Sequence, residues 1–190
     1  MSQKAVHMDL RVQRTRKNII DAFVALRSKK ELDKITVTEL AKAAMINKAT
    51  FYRYYQDIYD LSEQLEEEVI GIAIDSIPHP EYFLTRPKEG VCSIAQALLN
   101  QSELYNIVFS GKRREVLAVR LEDALKRKVY EIFPEYRDDL KMDIILTAMI
   151  RGTFSTFLDH AGDDFETVIG ILGEMTELVL KPAAASADVS

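Results

Sequence analysis

The stretch from Leu40 to Gln56 constrains this chain more than any other. It reads Leu-Ala-Lys-Ala-Ala-Met-Ile-Asn-Lys-Ala-Thr-Phe-Tyr-Arg-Tyr-Tyr-Gln, and it holds no Asp or Glu. Its charged residues, Lys42, Lys48 and Arg53, are all positive. Two short helical patterns are separated by a three-residue break. Thr36-Val37-Thr38-Glu39 has the spacing of a capping box, a hydroxyl at the cap and a carboxylate three residues on. Glu39 also falls where the helix dipole favours negative charge. Val37, Leu40, Ala41 and Ala44 then repeat at helical spacing, and Asn47 is a good cap for the second helix. From that cap, Phe51 and Tyr55 fall on one face and are expected to pack on Val37, Leu40 and Ile46. Lys48, Thr50, Tyr52, Arg53 and Tyr54 occupy the outer surface, where they offer groups that bind phosphate oxygens and base edges. The competing reading is one more amphipathic hairpin in a helical core, since Lys and Arg on a solvated helix face are ordinary.

The net charge of −5 argues against nucleic acid only until the chain is divided. Residues 1–60 carry 12 Lys/Arg and 7 Asp/Glu, a net +5, and residues 61–190 carry 13 and 23, a net −10. A basic amino-terminal third on an acidic body is the asymmetry expected when one end faces DNA. Arg11, Arg14, Arg16 and Lys17 precede or open the first helical pattern. They read either as a flexible arm that contacts phosphate or the minor groove, or as a solvated terminus.

Other classes find little support. Hydrophobic residues make up 47% of the chain, too many for disorder, and 190 residues can bury a substantial core. Cys92 is the only cysteine, so no internal disulfide forms, in keeping with a cytoplasmic location; it reads as an apolar filler. No apolar run approaches the roughly 20 residues that span a bilayer. His7, His79 and His160 lie far apart without helical pairing, so no metal site is expected. There is no phosphate-cradling glycine loop, nucleophile elbow or paired acid and base, so neither catalysis nor a cofactor is expected.

The stretch from about Arg11 to Leu61 resembles the DNA-binding domain of the tetracycline-repressor (TetR) family. The resemblance runs through Ile19 to Leu26, Thr36-Val37-Thr38-Glu39-Leu40-Ala41, Ile46 to Tyr55 and Asp60-Leu61. Met45 stands where the family usually has a turn glycine, and Ile58 where it tends to carry Lys. The resemblance implies an all-α chain: an amino-terminal three-helix helix-turn-helix DNA-binding domain at 1–60, a carboxy-terminal helical effector-binding and dimerisation domain at 61–182, and a disordered tail at 183–190. It implies double-stranded DNA as partner, contacted by Thr36, Thr38, Asn47, Lys48, Ala49, Thr50, Tyr52, Arg53 and Tyr54. It implies a ligand-responsive repressor that reads a palindromic operator as a homodimer.

Beyond Asp60 helical patterns continue. Leu61 to Ile77 is expected to link the domains, with Glu63, Glu66, Glu67 and Glu68 on a solvated face. Residues 78–90 hold three prolines and read as a loop. Helices are expected at 93–101, 104–109, 113–133 and 136–160, with a last one ended by Pro182. Gly152, Gly170 and Gly173 lie inside the last two helices, together with Ile144, Ala148, Ser155, Thr156, Leu172, Met175 and Val179. Glycine there costs about 1 kcal/mol against alanine, and close helix approach across a dimer is one reason to accept it. The family's effector pocket would be lined by Val69, Ile72, Leu98, Tyr105, Val108, Phe109, Leu117, Leu121, Met149, Phe154 and Phe157, each of which also reads as plain core. Two alternatives stay open: a co-activator of the same fold that answers to a protein partner, and a helical enzyme or lipid carrier with a vestigial amino-terminal domain.

Overall fold

The computed structural model describes residues 3–100 and 102–185. Among these residues the chain is helical without strands: α1 (Gln3–Arg27), α2 (Val37–Ala43), α3 (Lys48–Phe51), α4 (Ile58–Asp75), α5 (Tyr82–Thr85), α6 (Pro87–Leu99), α7 (Ser102–Val108), α8 (Arg114–Ile132), α9 (Leu140–Asp159) and α10 (Phe165–Ala185). It divides into two compact units. One comprises Met1–Glu68 with Glu103–Gly111, and the other Val69–Ser102 with Lys112–Ser190.

The amino-terminal unit is built on apolar residues at helical spacing. Ile19, Ala22 and Phe23 of α1 are buried, as are Leu40 of α2, Phe51 of α3 and Leu61 of α4. The segment 103–111 belongs to this unit through Tyr105, Val108 and Phe109, all buried. Arg27, itself buried, donates from its guanidinium to the carbonyls of Lys30 (2.7 Å) and Ser110 (3.2 Å) and to the Ser110 hydroxyl. Gly111 has φ 58°, the left-handed conformation that glycine adopts without penalty, and a Cβ there would run into the Glu31 carboxylate.

In the second unit α6 packs along α10, and α9 packs on both α8 and α10. Val91, Ala95, Ile169 and Leu172 form a buried cluster, against which the partly buried Cys92 packs. Two glycines permit close approach inside this unit. A Cβ on Gly90 would lie 2.9 Å from the Tyr82 carbonyl oxygen, and one on Gly173 would lie 3.2 Å from the Lys88 Cα. A charged network joins α8 to α9. The carboxylate of Glu122, only 5% exposed, accepts from Thr147 (2.8 Å), from Arg151 and from Lys126 (3.1 Å). Lys126 also reaches Asp143 at 2.6 Å. Burial alone would raise the Glu122 pKa, but the donors from Arg151, Thr147 and Lys126 outweigh it and hold the group below the usual carboxylate range.

Several expectations need correction. Arg11, Arg14, Arg16 and Lys17 are not an arm but part of α1, because residues 3–18 are mostly good helix formers without Gly or Pro. Arg16 pairs with Glu68 at 2.6 Å. The proline-rich stretch is not one loop. Tyr82–Thr85 is a short helix, and Pro87 opens α6 at the first helical position, where its fixed φ fits and its missing N–H is not needed. The helix expected to start at Tyr136 starts at Leu140 instead, capped by Asp139 after a 3₁₀ turn. α10 continues through Pro182 to Ala185; a proline this near a helix end interrupts few backbone bonds. Of the expected tail, residues 186–190 lie outside the described residues. Glu66 is fully buried rather than solvated, and it accepts from Ser62 at 2.9 Å. Leu172 and Gly173 face the inside of this unit rather than a second copy.

Candidate nucleic-acid interface and an apolar cavity

The helix-turn-helix is set by two side-chain caps. The Thr36 hydroxyl accepts the Glu39 N–H at 3.2 Å, and the Asn47 Oδ1 accepts the Thr50 N–H at 2.7 Å. α3 is shorter than its pattern suggests. Regular helix ends at Phe51, and Tyr52 to Tyr54 continue in turns, held by Tyr52 N–H to Lys48 O (3.0 Å) and Tyr54 N–H to Phe51 O (2.9 Å). Phe51 and Tyr55 are buried beneath, with ring centroids 5.7 Å apart. Burial pushes the Tyr55 phenol up, against the opposing pull of Arg16.

The opposite surface is open. Thr36, Thr38, Asn47, Lys48, Ala49, Tyr52 and Arg53 are exposed, and Thr50 and Tyr54 are half-buried. Among the described residues no carboxylate pairs with Lys42, Lys48 or Arg53 to neutralise its charge. Asn47 and Thr36 spend acceptor atoms on their caps and keep an amide N–H₂ and a hydroxyl proton for an external acceptor. Ile58 is buried at the start of α4, so it offers nothing to a phosphate.

Met45, in the break between the helices, takes the positive φ that the usual turn glycine at this position led one to expect. Met45 has φ 55°, the only non-glycine residue with positive φ among the described residues. Its side chain is 92% exposed. The strain of this conformation is therefore not offset by packing.

The second unit contains a cavity of about 80 Å³ between α6, α8, α9 and α10. Of the residues expected in an effector pocket, Leu98, Leu121, Met149, Phe154 and Phe157 line this cavity. Val69, Ile72 and Leu117 do not: Ile72 is 53% exposed, and Val69 and Leu117 are buried elsewhere. Tyr105, Val108 and Phe109 belong to the amino-terminal unit. Sequence reasoning missed, among others, Val91, Ala95 and Ile150, whose apolar spacing marks a buried face without telling cavity from core, and the polar Thr176. Among the described residues no group of three or more His, Cys, Asp or Glu is arranged to hold a metal ion. No helix among them is long and apolar enough to cross a membrane.

The outer faces of α9 and α10 carry exposed apolar side chains: Leu140 and Ile144 on α9, and Ile171, Met175 and Leu178 on α10. Around Gly152 and Gly170 a Cβ would meet nothing within 4 Å.

Residues 19–65 match the family model described as bacterial regulatory proteins, tetR family. No curated protein and no solved structure matches the chain significantly. The matched span runs from the buried face of α1 through both capped helices and into α4, the same residues that present the unpaired cations. The amino-terminal domain is thus similar to that of the bacterial regulatory proteins of the tetR family, a likeness that supports a DNA-binding transcriptional regulator.

Proposed function

We propose that the chain is a homodimeric repressor that reads a palindromic operator and releases it when a small molecule occupies the cavity of the second unit. The observation that carries the DNA-contact assignment is the acid-free, exposed surface of α3 and its following turn, where no carboxylate among the described residues pairs with Lys48 or Arg53. Lys48, Ala49 and Thr50 meet base edges or a thymine methyl. Tyr52, Arg53 and Tyr54 hold phosphates or further edges, and Thr36, Thr38 and Asn47 donate to the backbone. Two such heads, one helical turn of DNA apart, read half-sites spaced by about 10 base pairs.

The homodimer reading is supported by the exposed apolar faces of α9 and α10 and by the open space around Gly152 and Gly170. Exposed apolar side chains on two helices that pack together support an interface there. The response to ligand is supported by the chain's connectivity. α6 and α8 both contribute cavity walls, and the chain between them, 103–111, packs inside the amino-terminal unit, tied there by Arg27 to Ser110. A ligand that moves either wall pulls on that segment. It shifts DNA affinity only by as much as it prefers one state over the other.

The test is a titration of operator DNA by fluorescence anisotropy. Tyr52→Ala is expected to weaken binding to specific and nonspecific DNA alike, by about 1.5–3 kcal/mol for a lost hydrogen bond to a charged phosphate. Unchanged affinity refutes the assignment of Tyr52. A protein that sediments as a monomer, or only with a different protein on α9 and α10, replaces the homodimer by a partner-responsive regulator.

A further inference from the structure

The cavity's dimensions say what shape of molecule it takes. Its volume is about 80 Å³, about half of the 150 Å³ cavity that accepts a benzene ring. Yet its walls are long. The lining residues run from Pro87 to Leu98 on α6, from Leu146 to Phe157 on α9 and from Ile169 to Leu180 on α10. Each is a separation of eleven residues, or about 16 Å of helix at 1.5 Å per residue. A small volume spread along such walls is a slot, wide enough for one file of atoms.

The slot's chemistry is equally narrow. Its lining includes no charged side chain. Its polar side chains, Thr153 and Thr176, are already engaged: the Thr176 hydroxyl donates to the Leu172 carbonyl at 2.8 Å, and the Thr153 hydroxyl lies 3.4 Å from the Thr176 oxygen. Nothing in the slot is left asking for a hydrogen bond, and a charge placed there would lose its water without gaining a partner.

We infer that the slot takes one extended, unbranched hydrocarbon chain, with the polar head of the ligand left at the mouth. This rests on the reading of the cavity as the effector site, and it names the class of effector: a single-chain aliphatic molecule rather than a ring system. Aromatic and cage molecules of equal carbon number are too wide for it.

The test is calorimetric titration of the full chain with n-hexanol, n-octanol, n-decanol and n-tetradecanol, and with adamantanol as a compact ten-carbon alcohol. Each methylene buried contributes about 0.8 kcal/mol, so Kd is expected to fall about fourfold per added carbon, at one chain per protomer, until the slot is full and the series levels off. Adamantanol is expected not to bind. Ala95 lies at the Ile169 end of the slot, so Ala95→Phe is expected to move the levelling point to a shorter alcohol. Adamantanol binding as tightly as n-decanol, a Kd independent of chain length, or no binding by any alcohol overturns the inference; the length series decides it in the unmodified chain if Ala95→Phe does not fold. DNA affinity is measured separately with the same probes. If n-decanol binds and DNA affinity does not change, the slot assignment stands and the ligand-responsive reading falls. If adamantanol releases DNA and n-decanol does not bind, the reverse holds.

Discussion

Met45 offers a measurement whose size follows from geometry. Its φ of 55° places an L side chain in the left-handed region, at about 1–2 kcal/mol. The side chain is 92% exposed, so truncating it removes almost no burial. Glycine relieves the strain but loses more chain entropy on folding, by about 0.5–1 kcal/mol. The balance favours Met45→Gly by about 0.5–1 kcal/mol. For a chain of 190 residues melting as one, that raises Tm by about 1–4 °C, and by roughly twice as much if the amino-terminal unit melts separately. Thermal unfolding followed by circular dichroism reads this shift. Met45→Ala is the control, because it keeps the Cβ and hence the strain, and its Tm is expected to stay within about 1 °C of the parent. A Tm for Met45→Gly equal to or below that of Met45→Ala refutes the reasoning, and would mean that the turn carries no strain or that the methionine makes contacts of its own.

The glycine with the same conformation predicts the opposite sign. Gly111→Ala combines positive φ with a clash against Glu31 and is expected to cost at least about 1 kcal/mol in urea unfolding. Glu122 has its folded pKa held below the ordinary value by Arg151, Thr147 and Lys126. Its contribution is therefore complete above the unfolded carboxylate range and lost as pH falls through the depressed folded value. Glu122→Gln is expected to cost about 1–3 kcal/mol at pH 7 and to flatten the loss of stability below about pH 4.3; an unchanged acid limb would remove Glu122 from the account. Gly152→Leu fills open space in the protomer, so the fold is expected to persist while the dimer Kd, read by analytical ultracentrifugation, rises at least about fivefold through overpacking of about 1–3 kcal/mol; an undiminished dimer places the interface elsewhere.

Local chemistry made the amino-terminal domain legible. Thr36 and Asn47 are caps because a hydroxyl and an amide precede apolar periodicity, and both bonds are present. Phe51 and Tyr55 lie four residues apart, and both are buried. What escaped the sequence depends on neighbours distant in the chain. Gly173 is small because Lys88 crosses it, and nothing near residue 173 says so. Pro87 begins a helix rather than prolonging a loop because the residues after it pack on α10. Ala95 and Thr176 line the cavity only because α6 and α10 are brought together, so a reading confined to single helices could not separate them from ordinary core. The placement of 103–111 within the amino-terminal unit is likewise a tertiary fact, fixed by Arg27 and Ser110 across more than eighty residues.

We propose above all that the exposed surface of α3 and its following turn reads DNA. Selection of genomic fragments with the purified chain at two salt concentrations, read by sequencing, tests it most directly. Recovery of a palindromic site, with affinity falling steeply as salt rises and Arg53→Ala lowering the salt slope by about one, is the expected result. No enrichment at either concentration, or binding that is indifferent to salt and to Arg53, would contradict it.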